Sequence, residues 1–145
     1  FAKRLDAEGR SGDVSPTCAD IREIEMTRAS VVVVNFTLQF IPPVDRDDLA
    51  ERIYAALMPG GLLLFSEKTI HPNPRLSDLQ IDFYHRFKRE KGYSELEISQ
   101  KREALENVLI PETVDAHHDR LRRCGFKAID AWLKWSNFCS WICIK

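Results

Sequence analysis

The sequence predicts an α/β protein with a mostly parallel sheet, inserted helices and a C-terminal antiparallel hairpin, on three observations. The run SVVVVN (30–35) is β-branched without polar alternation, as a strand covered on both faces requires. The run LLLF (62–65) repeats that character after a stretch of helical periodicity. The tail, residues 126–135 and 138–144 around Ser136 and Asn137, reads as two antiparallel strands joined by a short turn.

The elements follow in order. Residues 1–9 read as the end of a helix and 11–16 as a loop. Residues 14–20 are expected to form a short strand, confined by Pro16 to a sheet edge or to the strand's beginning, because proline cannot donate to a ladder. Pro42 and Pro43 break the chain after the valine strand. Asp45 can then cap a helix whose Leu49, Ile53, Ala56 and Leu57 recur at helical spacing, with MPGG (58–61) as its stop. Residues 76–91 form a helix ended by Gly92, and Ser94 with Glu97 makes a capping box for the next helix, which Pro111 closes. Residues 113–124 are a further helix stopped by Gly125.

This order reads as the back half of an α/β sandwich. Residues 1–145 are expected to be a partial domain, its N-terminal strands and glycine-rich loop lying upstream in roughly 100 further residues. None of the six glycines forms GxGxxG or a phosphate-binding loop.

Composition excludes several partners. With 44% hydrophobic residues the chain can form a core, and a formal net charge of -1 gives no global field toward nucleic acid or anionic lipid. The four cysteines form no CxxC pair, which points to a reduced, cytoplasmic compartment. No segment has the run of about 18 apolar residues that a membrane span needs.

Candidate chemistry lies at strand ends and on one helix. Asn35 stands at the carboxyl end of the valine strand, the edge where open α/β sheets bind ligands; turning the chain there is the alternative role. Asp20 and Ile21 end the first expected strand on that same edge. The acid suits an adenine amino group and the next N–H suits the ring, or the acid caps a turn. Arg102 falls on the apolar stripe of Ile98, Leu105 and Leu109, within about 40° at about 100° per residue. Buried there, it requires a carboxylate: Glu67 or Glu106 in an internal ion pair, one from a second subunit, or one on a ligand.

His117 and His118 have no metal-ligand spacing and read as surface residues, so no metal site is expected. Arg120, Arg122 and Arg123 read as a solvated face, and Trp132, Trp135, Phe138 and Trp141 as core and interface.

The segments ADIREI, VVNFTLQFIPP, LMPGGLLLFSEK, FKREKGYSELEISQKREALENVLIP and GFKAIDAWLKWSNFCSW resemble the carboxy-S-adenosyl-L-methionine synthase family of the class I methyltransferase-like superfamily. The PGG motif is shared by many methyltransferases, whereas NFTLQF with GYSELEISQKR is specific.

The resemblance covers the chain from Asp20 onward. It implies the C-terminal portion of a Rossmann-like class I methyltransferase fold and a cytoplasmic homodimer built largely on the inserted helices. It further implies an enzyme using S-adenosyl-L-methionine and prephenate, which moves a carboxyl group from prephenate to the cofactor's methyl carbon and releases phenylpyruvate. The product, carboxy-S-adenosyl-L-methionine, would serve the 5-oxyacetyl modification of wobble uridine in tRNA without direct nucleic-acid binding by this protein. Asp20 and Ile21 would contact adenine, Asn35 would lie near the sulfonium and Arg102 would grip the new carboxylate; no catalytic residue is assigned. A methyltransferase acting on a small molecule and a non-catalytic dimerising fragment are the alternatives.

Overall fold

The structure, a computed structural model, describes residues 2–10 and 12–145. Phe1 and Ser11, which open the first expected helix and the loop after it, lie outside the described residues. Helix α1 (Ala2–Ala7) is followed by irregular chain. The strand expected at 14–20 does not form: among the described residues no strand lies beside the segment to pair with it, and it stays largely exposed.

Strand β1 (Ala29–Asn35), helix α2 (Arg46–Ala56) and strand β2 (Leu57–Ile70) form a parallel β-α-β unit, joined by two one-turn helices, Leu38–Phe40 and Pro43–Asp45. β2 begins five residues earlier than the LLLF run suggests, because Met58 to Gly61 form a bulge inside the strand instead of ending the helix. Gly61 is required there, since a Cβ would come within 2.8 Å of the Met58 carbonyl. Asp45 stands at the N-cap of α2 without a side-chain cap bond; its carboxylate takes Arg22 instead, at 2.8 Å.

Helices α3 (Pro74–Glu90) and α4 (Glu95–Leu105) follow, the first capped by Asn73 and the second by the expected Ser94–Glu97 box. Strand β3 (Glu112–Thr113) leads into α5 (Val114–Cys124), which ends at Gly125 with φ 112°. Strands β4 (Ala128–Trp135) and β5 (Phe138–Ile144) are the expected hairpin.

The strand order is β1-β2-β5-β4, with β3 beside the far end of β2. β1 and β3 run parallel to β2, while the hairpin supplies the antiparallel pairs, so the sheet is mixed. Among the described residues α2 and α5 cover one sheet face, where Leu49, Ile53 and Leu121 pack against Leu63, Phe65 and Trp141. Among the described residues β1 stands at one end of the strand order, and Val33, on its other face, is 65% exposed.

Candidate functional site

The site begins where β1 ends. Asn35 pairs in register with Ser66 of β2, and Phe36, at a positive φ of 51°, turns the chain away from the sheet. The next residues form the one-turn helix Leu38–Phe40, whose exposed dipole ends meet two buried charges. Glu67 of β2, with no exposed surface, accepts from the backbone N–H of Thr37 (3.0 Å), Leu38 (2.8 Å) and Gln39 (3.0 Å). Arg46 of α2, equally buried, donates to the carbonyls of Ile41 (2.9 Å), Gln39 (3.4 Å) and Ile110 (2.8 Å). Burial pushes the Glu67 carboxyl up to about 7, against the three N–H donors and Arg46, all of which favour its ionised form.

That turn forms one wall of a cavity of about 370 Å³, bounded by α3, α4 and the start of β5. Phe36, Phe40, Tyr84 and Phe138 give it apolar surface, with the Phe36 ring edge-on to Phe138 at 5.7 Å. Lys68, Lys88, Lys101 and Arg102 bring four cations to the same cavity, together with His85 and one carboxylate, Glu106.

The cations perturb one another. Burial and then Lys88 push the Lys68 ammonium below its usual value; burial and then Lys101 do the same to Lys88; burial, Lys88 and Arg102 depress His85. Lys88 rests over the Tyr84 ring at 4.6 Å. Among the described residues no carboxylate forms an ion pair with Lys68, Lys101 or Arg102. A cavity with aromatic walls and surplus, unpaired cations is suited to an anion carried on an apolar body.

The four sequence-predicted site residues fall in two places. Arg102 lines the cavity, but it is exposed, correcting the expectation of burial. α4 stops at Leu105, so Leu109 does not extend the stripe, and Ile98 alone in that helix is buried. Asn35 is exposed next to the cavity residue Phe36. Asp20 and Ile21 lie apart, beside α2. The Asp20 carboxylate accepts from the Arg22 backbone and guanidinium, whose hydrogen bonds hold it down at about 2, and Ile21 packs against the core.

Two groups read as solvated are buried. His117 is 2% and Arg120 6% exposed. Arg120 bridges Asp47 (2.6 Å) and Glu112 (2.8 Å), and His117 packs against both Phe65 and Trp141, with ring centroids 5.2 Å from each. The signal was present: Val114, His117 and Leu121 share one helical face. Trp132 and Trp135 are exposed, whereas Trp141 is core. The cavity cations Lys68 and Lys88 were missed, because neither strand-end nor helical spacing marks them.

Burial pushes the His117 imidazole down to about 4, so the fold holds it neutral. Stability owed to this group is present above about pH 6.5 and lost as pH falls through about 4, up to roughly 3 kcal/mol for such a shift. Glu67, with its raised value, contributes in the opposite sense, its share being lost as pH rises from about 4.5 through about 7. Thermal midpoints should therefore fall less between pH 7 and pH 4 in His117→Phe than in the parent, Glu67 being common to both. Identical pH dependence would contradict this.

No protein-family model matches the chain. It is 50% identical over its full 145 residues to a carboxy-S-adenosyl-L-methionine synthase of Desulforapulum autotrophicum, covering 59% of that protein. It is 54% identical over 127 residues, 88% of the chain, to one of Aliivibrio fischeri, covering 52% of it. The chain thus spans somewhat more than half the length of these relatives, matching their C-terminal part. Among solved structures, the S-adenosylmethionine-dependent methyltransferase SibL in its apo form aligns with 99% of the chain and 39% of its own, at a TM-score of 0.62 and 17% identity. That likeness shows a methyltransferase fold.

Proposed function

We propose, from the premise that this chain is homologous to the C-terminal part of the carboxy-S-adenosyl-L-methionine synthases and has the class I methyltransferase fold, that its protein carries out that synthesis. The cofactor is S-adenosyl-L-methionine, whose sulfonium would acidify the methyl C–H so that the carbon, having given up a proton, can take CO2 as a nucleophile. Prephenate gives up its ring carboxyl group to that carbon; the ring hydroxyl and a methyl proton leave together as water, and the aromatised remainder departs as phenylpyruvate. The product is destined for the 5-oxyacetyl modification of wobble uridine in tRNA.

The observation that carries this reading is the excess of unpaired cations facing an aromatic-walled cavity at the end of β1. A plain methyl transfer to a neutral acceptor has no use for them. Arg102 and Lys68 hold carboxylates, the aromatic residues exclude water and receive the ring, and Asn35 hydrogen-bonds the cofactor without adding charge. Asp20 and Ile21 serve the adenine.

The test is to incubate the full-length protein with S-adenosyl-L-methionine and prephenate. Phenylpyruvate and a cofactor heavier by one carboxyl group should appear together. Methylated prephenate without phenylpyruvate would favour the methyltransferase alternative.

Lys68→Met gives an opposed pair of effects. Removing a half-buried, unpaired ammonium should raise stability by on the order of 1 kcal/mol while lowering prephenate affinity about tenfold, read by thermal denaturation and titration. Loss of both would make Lys68 structural. Asn35→Ala should weaken S-adenosyl-L-methionine binding by about three- to tenfold, one neutral hydrogen bond, with the fold intact. Unchanged affinity by calorimetry would leave Asn35 a turn former.

A cytoplasmic homodimer accompanies this reading. Leu76, Leu79, Phe83 and Phe87 form an exposed apolar stripe along α3, which supports association through the inserted helices. A monomer mass by light scattering would contradict it.

A further inference from the structure

We propose that Glu67 and Arg46 are positioning residues, which clamp the one-turn helix Leu38–Phe40 from both ends and so fix Phe36, Gln39 and Phe40 as the cavity wall. This rests on the reading of the cavity as the site of an anionic, ring-bearing ligand.

A helix of three residues has little cooperative stability of its own, since only the Phe40 N–H to Thr37 carbonyl (3.0 Å) and Ile41 N–H to Leu38 carbonyl (2.9 Å) bonds close it and its other N–H and C=O groups are end groups. Here the polarity of each end is answered. The carboxylate of Glu67 meets the N-terminal N–H groups of Thr37, Leu38 and Gln39, and the guanidinium of Arg46 meets the C-terminal carbonyls of Gln39 and Ile41. Both charges come from other elements, β2 and α2, and neither has any solvent-exposed surface. Two more bonds join this turn to the cavity's other walls. Gln39 Oε1 accepts from the Lys68 N–H at 3.1 Å, and the Gln39 carbonyl accepts from the Ile110 N–H at 2.9 Å, just past α4.

The pleat explains how Glu67 and Lys68 divide their roles. Side chains alternate across β2, so Glu67 points into the core face beneath the turn while Lys68 points into the cavity. Adjacent residues of one strand thus hold the wall and present a charge within it.

Glu67→Gln is the informative variant. It keeps the shape, but its NH₂ group faces at least one of the three N–H donors it should accept, so the turn loosens. Amide exchange at Thr37, Leu38 and Gln39 in the full-length protein should accelerate at least tenfold, with exchange in the β5 core unchanged. The KM for prephenate, and the Kd of phenylpyruvate as a direct probe, should rise about tenfold, with kcat changing less than KM.

Faster exchange with unchanged affinity overturns the proposal and leaves the function standing, as does unchanged exchange. If the unaltered protein binds neither prephenate nor phenylpyruvate, the reading of the cavity fails and the proposal with it, a result distinct from failure of the variant alone. Should Glu67→Gln not fold, Arg46→Lys probes the other end. Its charge is kept but its fork lost, so the same readouts should move by about threefold; no change there overturns the proposal.

Discussion

Glu112→Ala is expected to destabilise the protein by about 3 to 5 kcal/mol, measured by chemical denaturation. Glu112 stands between two buried arginines. Its Oε2 lies 2.7 Å from Arg46 Nη1, and both its oxygens accept from Arg120, at 2.8 and 2.9 Å. Burial alone would push the Glu112 carboxyl up; the Arg120 hydrogen bonds and the ion pair with Arg46 outweigh it and leave it below its usual value. Removing it leaves Arg120 with Asp47, and leaves Arg46 with backbone carbonyls and no anion of its own in hydrogen-bond contact.

Breaking one partner of a buried pair costs more than replacing the whole pair, because the remaining charge stays desolvated. Glu112→Gln should therefore fall between the parent and Ala, keeping hydrogen bonds and losing charge. A loss under about 1 kcal/mol for Glu112→Ala would mean that water reaches the arginines freely. The network also matters to the site, since Arg46 carries one end of the cavity-wall turn.

Legibility in the sequence followed the range of the interactions. The Ser94–Glu97 capping box, the Gly125 stop and the hairpin turn at Ser136–Asn137 are local devices, and each was read correctly. The valine run declared a strand, but whether both its faces are covered depends on other elements, and in this chain one is not. Helical arithmetic placed Arg102 among apolar residues without showing where α4 ends or that this face borders a cavity. Arg120 and Asp47 are 73 residues apart, and Glu67 meets Leu38 across 29. Such pairings have no spacing signature, so Arg120, which reads as part of a solvated face, is buried, and Arg46, which no sequence feature singles out, is buried too. The strand expected at 14–20 failed for the same reason: a strand needs a neighbour, and its residues alone do not supply one.

The second large effect concerns the carboxylate reading itself. Arg102 reaches the cavity as an exposed guanidinium with no carboxylate partner among the described residues, so it is free to close on a ligand. A charge-assisted hydrogen bond formed there is worth about 1.5 kcal/mol, the lower end of its range because the guanidinium is solvated beforehand, and this corresponds to roughly tenfold in affinity. S-adenosyl-L-methionine has its amino-acid carboxylate but lacks the carboxyl group on the methyl carbon. Its binding should hardly sense Arg102. Arg102→Lys should recover part of the loss, since a point charge does not reproduce the bidentate fork.

The role of Arg102 is tested by calorimetric titration of the full-length protein and its Arg102→Ala variant with both forms of the cofactor. In the variant, carboxy-S-adenosyl-L-methionine is expected to lose about tenfold in affinity while S-adenosyl-L-methionine loses less than twofold. Equal losses for the two ligands, or no loss for either, would contradict that role.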